Sequence, residues 1–437
     1  MRNFFREFLA SILAALARSV IRKYKPQIIM VTGSVGKTST KDAITAVLEK
    51  RFYLRSSKKN FNSEFGVPLT IFGMADKWSG LSDWPPIILE AFALLIFPNH
   101  YPKVLVLEVG ADRPGDLARI LRIATPDIVV VTRLPEMPVH VEAYATPAAV
   151  REEEFAPSYA LPPGAPLIVC ADDEYARALA SPLAVHLMTY GVSKDADVRI
   201  MSDGPLMETG DDHGGAAWLA GMEGKMCVEG KEYAVPVRGA VGRPQLLAPA
   251  AGIAVGLVLG LKMKEILSGV SAYQPPAGRG RLLLGKHESL ILDDSYNASP
   301  AAVREALASL QIAHNVMPGS RRIAALGDML ELGRYSREEH ERMGEEAAKK
   351  CDVLVAVGVR SREMAEAAKK AGMQEDAVHS FDTAYEAAGF LRDFIQANDI
   401  ILIKGSQSMR MERIGEAVLK NIADQKYLVR QDEIWKR

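Results

Sequence analysis

Residues 32–40 read Thr32-Gly33-Ser34-Val35-Gly36-Lys37-Thr38-Ser39-Thr40. These are the residue types of a phosphate-binding loop. Glycines let the backbone turn its N–H groups toward one point, and a helix N-terminus behind them favours negative charge. Lys37 would then neutralise the β- and γ-phosphates of a nucleotide, and the Thr38 hydroxyl would ligate Mg²⁺. The strict pattern also asks for a glycine at the position held by Val31. The context compensates for that loss. An apolar run at 27–31 precedes the loop and a helical pattern follows it to about Arg51, giving strand, glycine loop, helix. Glu108 closes a second apolar run, 103–109. An acid at the C-terminal end of a strand beside such a loop can hold Mg²⁺ or order its waters, although alone it would read as a solvated strand end. His140, in Pro138-Val139-His140-Val141-Glu142, is ambiguous by itself, because a lone histidine is usually structural.

Positioning these groups requires strands alternating with helices. Residues 103–109, 128–132 and 167–170 are apolar runs of the kind buried in a sheet, with helical patterns between them. The alternation predicts an α/β fold whose mainly parallel sheet is covered on both faces. Residues 195–240 are glycine-rich with short mixed runs, which predicts antiparallel strands appended to that sheet. A small-residue apolar helix is expected over 246–261. Residues 273–278, Tyr-Gln-Pro-Pro-Ala-Gly, read as a linker. Beyond it the alternation restarts, with strands expected at 289–292, 322–326, 353–357 and 400–403 and helices at 301–310 and 337–350. The expected division is a helix at 1–26, an ATP-binding domain at 27–274 and a second α/β domain at 275–437.

Composition narrows the function classes. The 437 residues carry 53 Lys+Arg against 54 Asp+Glu, so no basic excess points to nucleic acid. Three isolated cysteines without a CxxC pair exclude a disulfide scaffold and a cysteine-rich zinc site, and fit a cytoplasmic protein. Two stretches stand out. Residues 1–25 place Phe and Leu at helical spacing among Arg2, Arg6, Arg18, Arg22, Lys23 and Lys25. Two readings fit: a basic amphipathic helix in peripheral contact with an anionic membrane, or a helix docked on the protein's own core. Residues 84–98 hold about a dozen apolar residues and one charge, Glu90, too short to span a bilayer and suited to a buried helix or a partner surface.

Several motifs in one order carry a resemblance. The loop at 32–40 is followed by Asn60-Phe61-Asn62-Ser63-Glu64-Phe65-Gly66-Val67-Pro68-Leu69-Thr70 and by Leu107-Glu108-Val109-Gly110-Ala111-Asp112. Then come Asp293-Asp294-Ser295-Tyr296-Asn297-Ala298-Ser299-Pro300, the run Leu326 to Gly333 (LGDMLELG) and the run Lys404 to Glu412 (KGSQSMRME). Together these resemble the Mur ligase family over residues 27 to about 422, and the last three resemble its MurF branch. The resemblance implies a P-loop central ATPase domain with a parallel sheet and a C-terminal Rossmann-like α/β domain. It implies ATP and Mg²⁺ as cofactors, with UDP-muramoyl tripeptide and D-alanyl-D-alanine as substrates joined through an acyl phosphate. It also assigns roles. Thr32, Gly33, Ser34, Gly36, Lys37, Thr38 and Ser39 would hold ATP, with Thr38 on the first Mg²⁺; Glu108 and His140 would hold the second. Arg279 and Asn297 match nucleotide-contacting positions. Asp328 and Lys404 fall in motifs near nucleotide or amino-acid substrate, and Asn60 and Asn62 in a loop bordering substrate.

Three departures bear on that assignment. Where the family places a carbamylated lysine on the metal, an ungapped count from His140 reaches Glu154, so Glu154 or Glu153 would supply the carboxylate directly; the alternative is a solvated acidic helix face. The family's Gly-x-His-Asn-x-x-Asn reads Gly239-Ala240-Val241-Gly242-Arg243-Pro244-Gln245, so most of its polar groups are gone. Only about 26 residues precede the first strand, where the family has a UDP-binding domain. A ligase acting on a lipid-linked or folate-like acceptor, or a non-catalytic nucleotide-binding scaffold, are the competing expectations.

Overall fold

The computed structural model describes residues 2–57, 63–74, 84–209, 217–432 and 435, with side chains from residue 7 onward. A nine-stranded sheet is built from β1 (Gln27–Thr32), β2 (Leu54–Ser56), β3 (Val104–Glu108), β4 (Ile128–Val131), β5 (Pro166–Cys170), β6 (His186–Gly191), β7 (Val198–Thr209), β8 (Ala217–Val228) and β9 (Lys231–Arg238). Its spatial order is β2-β3-β1-β4-β5-β6-β7-β8-β9. Strands β2 to β7 run parallel, and β7-β8-β9 is an antiparallel extension, as the glycine-rich composition of that segment implied.

A six-stranded sheet follows, from β10 (Arg281–Leu284), β11 (Leu290–Asp294), β12 (Arg322–Gly327), β13 (Val353–Val357), β14 (Val378–Phe381) and β15 (Ile400–Lys404), in the order β10-β11-β15-β12-β13-β14. Only β10 is antiparallel. Period-two alternation is visible in both sheets. In β1, Ile29 and Val31 join one apolar cluster while Ile28 and Met30 join the cluster on the opposite face. In β15, Ile400 and Leu402 join that first cluster, and Ile401 and Ile403 a third. One apolar cluster therefore contains side chains from both sheets, which ties the two halves of the chain together.

Strand register fixes the chemistry-bearing ends. β1 lies between β3 and β4, with Val31 opposite Glu108 and Thr32 opposite Val131. The chain leaves β1 toward β3 on one side and returns to β4 on the other. In parallel sheets this switch point at the strand C-termini is where ligands bind. In the second sheet, Asp294 and Leu326 both pair with Lys404, so Asp294, Lys404 and Asp328 gather at the same kind of edge.

The first helix, Arg2–Tyr24, packs on the helices Gly66–Phe72 and Trp84–Ile96. Its Leu9, Leu13, Leu16, Ala17 and Val20 are buried in the core cluster, so its apolar side is spent on the protein itself. Among the described residues no helix is long and apolar enough to cross a membrane. Leu13 is fully buried, so Leu13→Ala should cost about 2–5 kcal/mol and lower the melting midpoint by several degrees. Phe8, 58% exposed, should tolerate Ala within about 0.5 kcal/mol. Thermal melts of the two variants check this; equal small effects would mean the helix is not docked.

Candidate active site

The loop after β1 has the backbone a phosphate cradle needs. Gly33 and Gly36 have φ of 117° and 93°, a region that disfavours any side chain. A Cβ on Gly33 would also collide with the Thr132 hydroxyl at the end of β4. The helix Lys37–Leu48 starts at Gly36 without a side-chain cap, so its first amides remain open for an anion. Lys37 folds back, its Nζ donating to the Gly33 carbonyl and standing 3.8 Å from Glu154 Oε1.

Two buried carboxylates converge on this loop. Glu108, 4% exposed at the end of β3, accepts a 3.0 Å hydrogen bond from the Thr38 hydroxyl on Oε1 and leaves Oε2 without a partner. Glu154, 1% exposed on the helix Pro147–Tyr159, accepts from the Ser34 hydroxyl on Oε2 and leaves Oε1 without a hydrogen bond. That helix is set by Thr146, whose side chain accepts from Ala149 N–H, and by Pro147 in its first turn. Burial raises the Glu108 carboxyl above its ordinary range against the pull of Lys41, Lys37 and Arg279. Burial likewise raises Glu154, opposed by Lys37, the Ser34 hydrogen bond and His140. Glu153 points elsewhere: its Oε1 accepts from Gly115 and Leu117 N–H and caps the helix Asp116–Leu121. Of the two acids offered by the sequence, the structure puts Glu154 at the loop.

Among the described residues no three His, Cys, Asp or Glu side chains form a ready-made metal cluster. His140 sits at φ 63° in a turn, with Nδ1 2.9 Å from Glu331 and Nε2 3.5 Å from Asp112. Burial works against its charge, but the Glu331 hydrogen bond and the charges of Glu331 and Asp112 outweigh it and raise its pKa. The orphaned oxygens of Glu108 and Glu154, beside the Thr38 and Ser34 hydroxyls, are hard donors that fit Mg²⁺. That ion typically takes one or two carboxylates and completes its shell with water and phosphate.

Across from the loop stands the edge of the second sheet. Lys404 is fully enclosed, donating to Asp294 Oδ2 at 2.6 Å and to the Asn297 carbonyl at 3.0 Å. Burial depresses its pKa against the Asp294 charge. Lys404, Asp294 and Arg279 line one cleft with Gly36, Ser39 and Thr40. Arg279 also stacks its guanidinium 4.1 Å over Tyr296. The cleft has only about 90 Å³ free, against roughly 300–1,000 Å³ for ordinary ligand pockets. A nucleotide seated in this cleft would require the two halves to move apart. Arg133, after β4, pairs with Glu305 on the helix Pro300–Val316 at 2.9 Å, and Glu331 reaches His140, so ion pairs clasp the halves together.

The side chains of the remaining described candidates are engaged by other partners. Asp328 is buried and accepts from Ser361 N–H at 2.7 Å and its hydroxyl at 2.8 Å, holding the helix Ser361–Lys370 within its own half. Asn297 spends its Oδ1 on Ala298 N–H. Asn60 and Asn62 lie outside the described residues. Gln245, last residue of the altered motif, donates to the Arg279 carbonyl at 2.8 Å and lines the cleft. Residue-by-residue reading of the sequence missed Lys41, Arg133, Glu305 and Glu331. Lys41 is 3% exposed, donates to the Ser57 carbonyl at 2.7 Å, and Ser57 Oγ in turn accepts from Glu108 N–H. A lysine four residues after the loop lysine was a signal in the sequence. The other three act across the two halves, and spacing along the chain carries no trace of that.

Comparison with known proteins follows the same division. The Mur ligase middle domain model matches residues 31–82 and 86–213, and the Mur ligase glutamate ligase domain model matches 278–407. The UDP-N-acetylmuramoyl-tripeptide–D-alanyl-D-alanine ligase of Bacillus subtilis is 24% identical, over 94% of this chain and 79% of its own length. The enzyme so named from Mycobacterium tuberculosis is 27% identical, over 94% and 77%. Among solved structures, the MurF ligase of Thermotoga maritima in complex with ADP superposes with a TM-score of 0.74 at 24% identity, covering 95% of this chain and 84% of that one. Folylpolyglutamate synthase of Mycobacterium tuberculosis superposes with a TM-score of 0.64 at 14% identity, covering 92% and 94%.

Asp293 gives this site a pH signature. Burial pushes its carboxyl up to about 6, and the charges of Asp294 and Glu412 add to the rise. The unfolded chain ionises near pH 3.9, so ionisation inside the fold costs stability, and the cost grows as pH rises from about 4 to about 6. Asp293→Asn should therefore melt like the wild type near pH 4 and higher than it at pH 8, by up to roughly 3 kcal/mol. Melting curves at both pH values measure the difference; a lower midpoint at pH 8 would contradict the burial argument.

Proposed function

The chain belongs to the Mur ligase family, and we propose that it is an ATP-dependent, ADP-forming peptide ligase that adds D-alanyl-D-alanine to a UDP-muramoyl tripeptide. The observation that carries this reading is the single cleft between two parallel-sheet edges. An open phosphate loop lies on one side and a buried lysine–aspartate pair on the other. Residues 27–274 would then present ATP and the acceptor carboxylate, and residues 275–437 the incoming amine.

In this reading the tripeptide carboxylate attacks the γ-phosphorus of ATP. The bond to the β-phosphate oxygen breaks, ADP leaves with that electron pair, and an acyl phosphate remains. The amine nitrogen of the dipeptide then bonds to the acyl carbon and loses a proton, and phosphate departs. The open amides of residues 37–39 would bind the phosphates. Lys37 would swing from Gly33 and Glu154 to the transferring group, where a fixed positive charge is worth most in a water-poor site. Thr38, Glu108 and Glu154 would hold Mg²⁺, which screens the repulsion between the carboxylate and the triphosphate. His140 would join them once released from Glu331. Glu154 would do so as a resident carboxylate that needs no carbamylation. Lys404 and Arg279 would meet the nucleotide or the dipeptide carboxylate from the second sheet. Closure of the halves would exclude water from the acyl phosphate, whose hydrolysis would waste ATP.

The reading is tested by phosphate release with ATP, Mg²⁺, D-alanyl-D-alanine and UDP-muramoyl tripeptide, each omitted in turn. Release should require all four. No stimulation by the tripeptide, with ATP binding intact, would move the assignment to a different acceptor or to a nucleotide-binding scaffold. Glu154→Gln should lower kcat by about 10²-fold or more, and removal of CO₂ and bicarbonate should leave the wild-type rate unchanged. Full activity and metal dependence in Glu154→Gln would remove Glu154 from the site.

A further inference from the structure

The helix Trp84–Ile96 presents an apolar face in both directions. Trp84, Ile87, Ala91 and Leu94 point into the core. Leu89, Phe92, Ile96 and the following Phe97 point outward, at 68%, 46%, 69% and 63% exposure. A surface helix of a globular protein ordinarily turns charged residues outward, yet from Pro85 to Asn99 the chain carries a single acidic or basic residue, Glu90. The first helix packs beside this one. Its outward stripe runs from Glu7 and Phe8 through Ser11 and Ala15 to Arg22.

Positive charge collects at one end of this surface. Lys23 donates to the carbonyls of Leu94, Leu95 and Phe97, capping the C-terminus of the apolar helix and placing its ammonium beside Phe97. Arg22 ends the outward stripe. Arg18, Arg22, Lys25 and Arg122 line an open groove of about 870 Å³ along the first helix. The acid in that groove, Asp127, is already engaged by Ile28 N–H at 2.8 Å. An exposed face of large apolar side chains, with a cationic groove along the helix packed beside it, is complementary to one surface: acyl chains beneath a layer of anionic phosphate headgroups.

We propose that this face, the outward side of Trp84–Ile96 with the Arg18–Arg22–Lys25–Arg122 groove, docks the protein peripherally on an anionic phospholipid membrane. The contact is carried by the helix at 84–96 and by the basic end of the first helix. The apolar side of residues 1–25 takes no part, because it is buried. The proposal rests on the fold and not on the ligase reading, and its test needs no substrate.

The full chain is floated with vesicles of phosphatidylcholine alone and of phosphatidylcholine containing about 30% phosphatidylglycerol. It should float with the anionic vesicles, weakly with the neutral ones, and less as salt is raised. Leu89→Glu/Phe92→Glu should abolish flotation, and Arg22→Glu/Lys25→Glu should weaken it about tenfold or more. Each variant changes exposed positions, so its circular dichroism and melting should match the wild type; this separates lost binding from misfolding. Failure of the wild type to float on anionic vesicles would overturn the proposal, as would flotation unchanged in both variants. It would also fall if light scattering found a dimer that Leu89→Glu/Phe92→Glu converts to monomer, because the face would then be covered by a second copy.

Discussion

The site depends on charge compensation at the end of β1. Two carboxylates, Glu108 and Glu154, are buried within reach of one loop, and each keeps an oxygen with no hydrogen bond. Burying an unpaired carboxylate is costly, and burial raises both carboxyls accordingly. The surroundings offset that cost only in part. Lys37 approaches Glu154, Thr38 donates to Glu108, and Lys41 holds the Ser57 segment that bonds the Glu108 backbone. Two buried carboxylate oxygens without a hydrogen bond are donors open to a cation. Such strain persists only where the surrounding fold imposes it. Here it is imposed by parallel register, which sets Glu108 opposite Val31, and by a capped helix that delivers Glu154.

The second sheet answers the first with the opposite arrangement. Its edge offers Lys404 and Arg279 to the cleft, with Asp294 holding the lysine. Uncapped helix amides and a pair of buried carboxylates stand on one side and fixed positive groups on the other, and in the proposed reading the phosphoryl group would pass between them. The shared apolar cluster and the Arg133–Glu305 and His140–Glu331 pairs keep the halves together with the cleft nearly empty of space. His140 is thus shared between two tasks. In this closed arrangement it serves the clasp, and as a metal ligand it would have to leave Glu331.

Much of this was legible in the sequence, for identifiable reasons. Buried parallel strands are near-continuous apolar runs, so 103–109, 128–132 and 353–357 announce themselves. The short strands β2, β10 and β14 lie at sheet edges with mixed burial, so no continuous apolar run marks them. The loop at 32–40 was readable because its left-handed backbone calls for glycine at Gly33 and Gly36, next to the start of a helix. Glu154 could be reached only by counting from His140, with Glu153 beside it as the alternative. The capping of Asp116–Leu121 by Glu153 separates the two, and that contact spans 36 to 38 residues of sequence. Asp328 looked like a site residue because it stands in a motif, whereas its carboxylate is committed to Ser361. The first helix exposed the limit of periodicity: an apolar stripe states that a face is buried without stating against what.

In the proposed reaction the two sheet edges would act in sequence on one carboxylate, activating it with ATP before the amine arrives. The most direct measurement labels both carboxylate oxygens of the acceptor tripeptide with ¹⁸O and follows the label through one round of ligation. An acyl phosphate requires one labelled oxygen to leave with the released phosphate while the other stays in the new peptide bond. Phosphate free of label, alongside normal peptide product, would contradict the account.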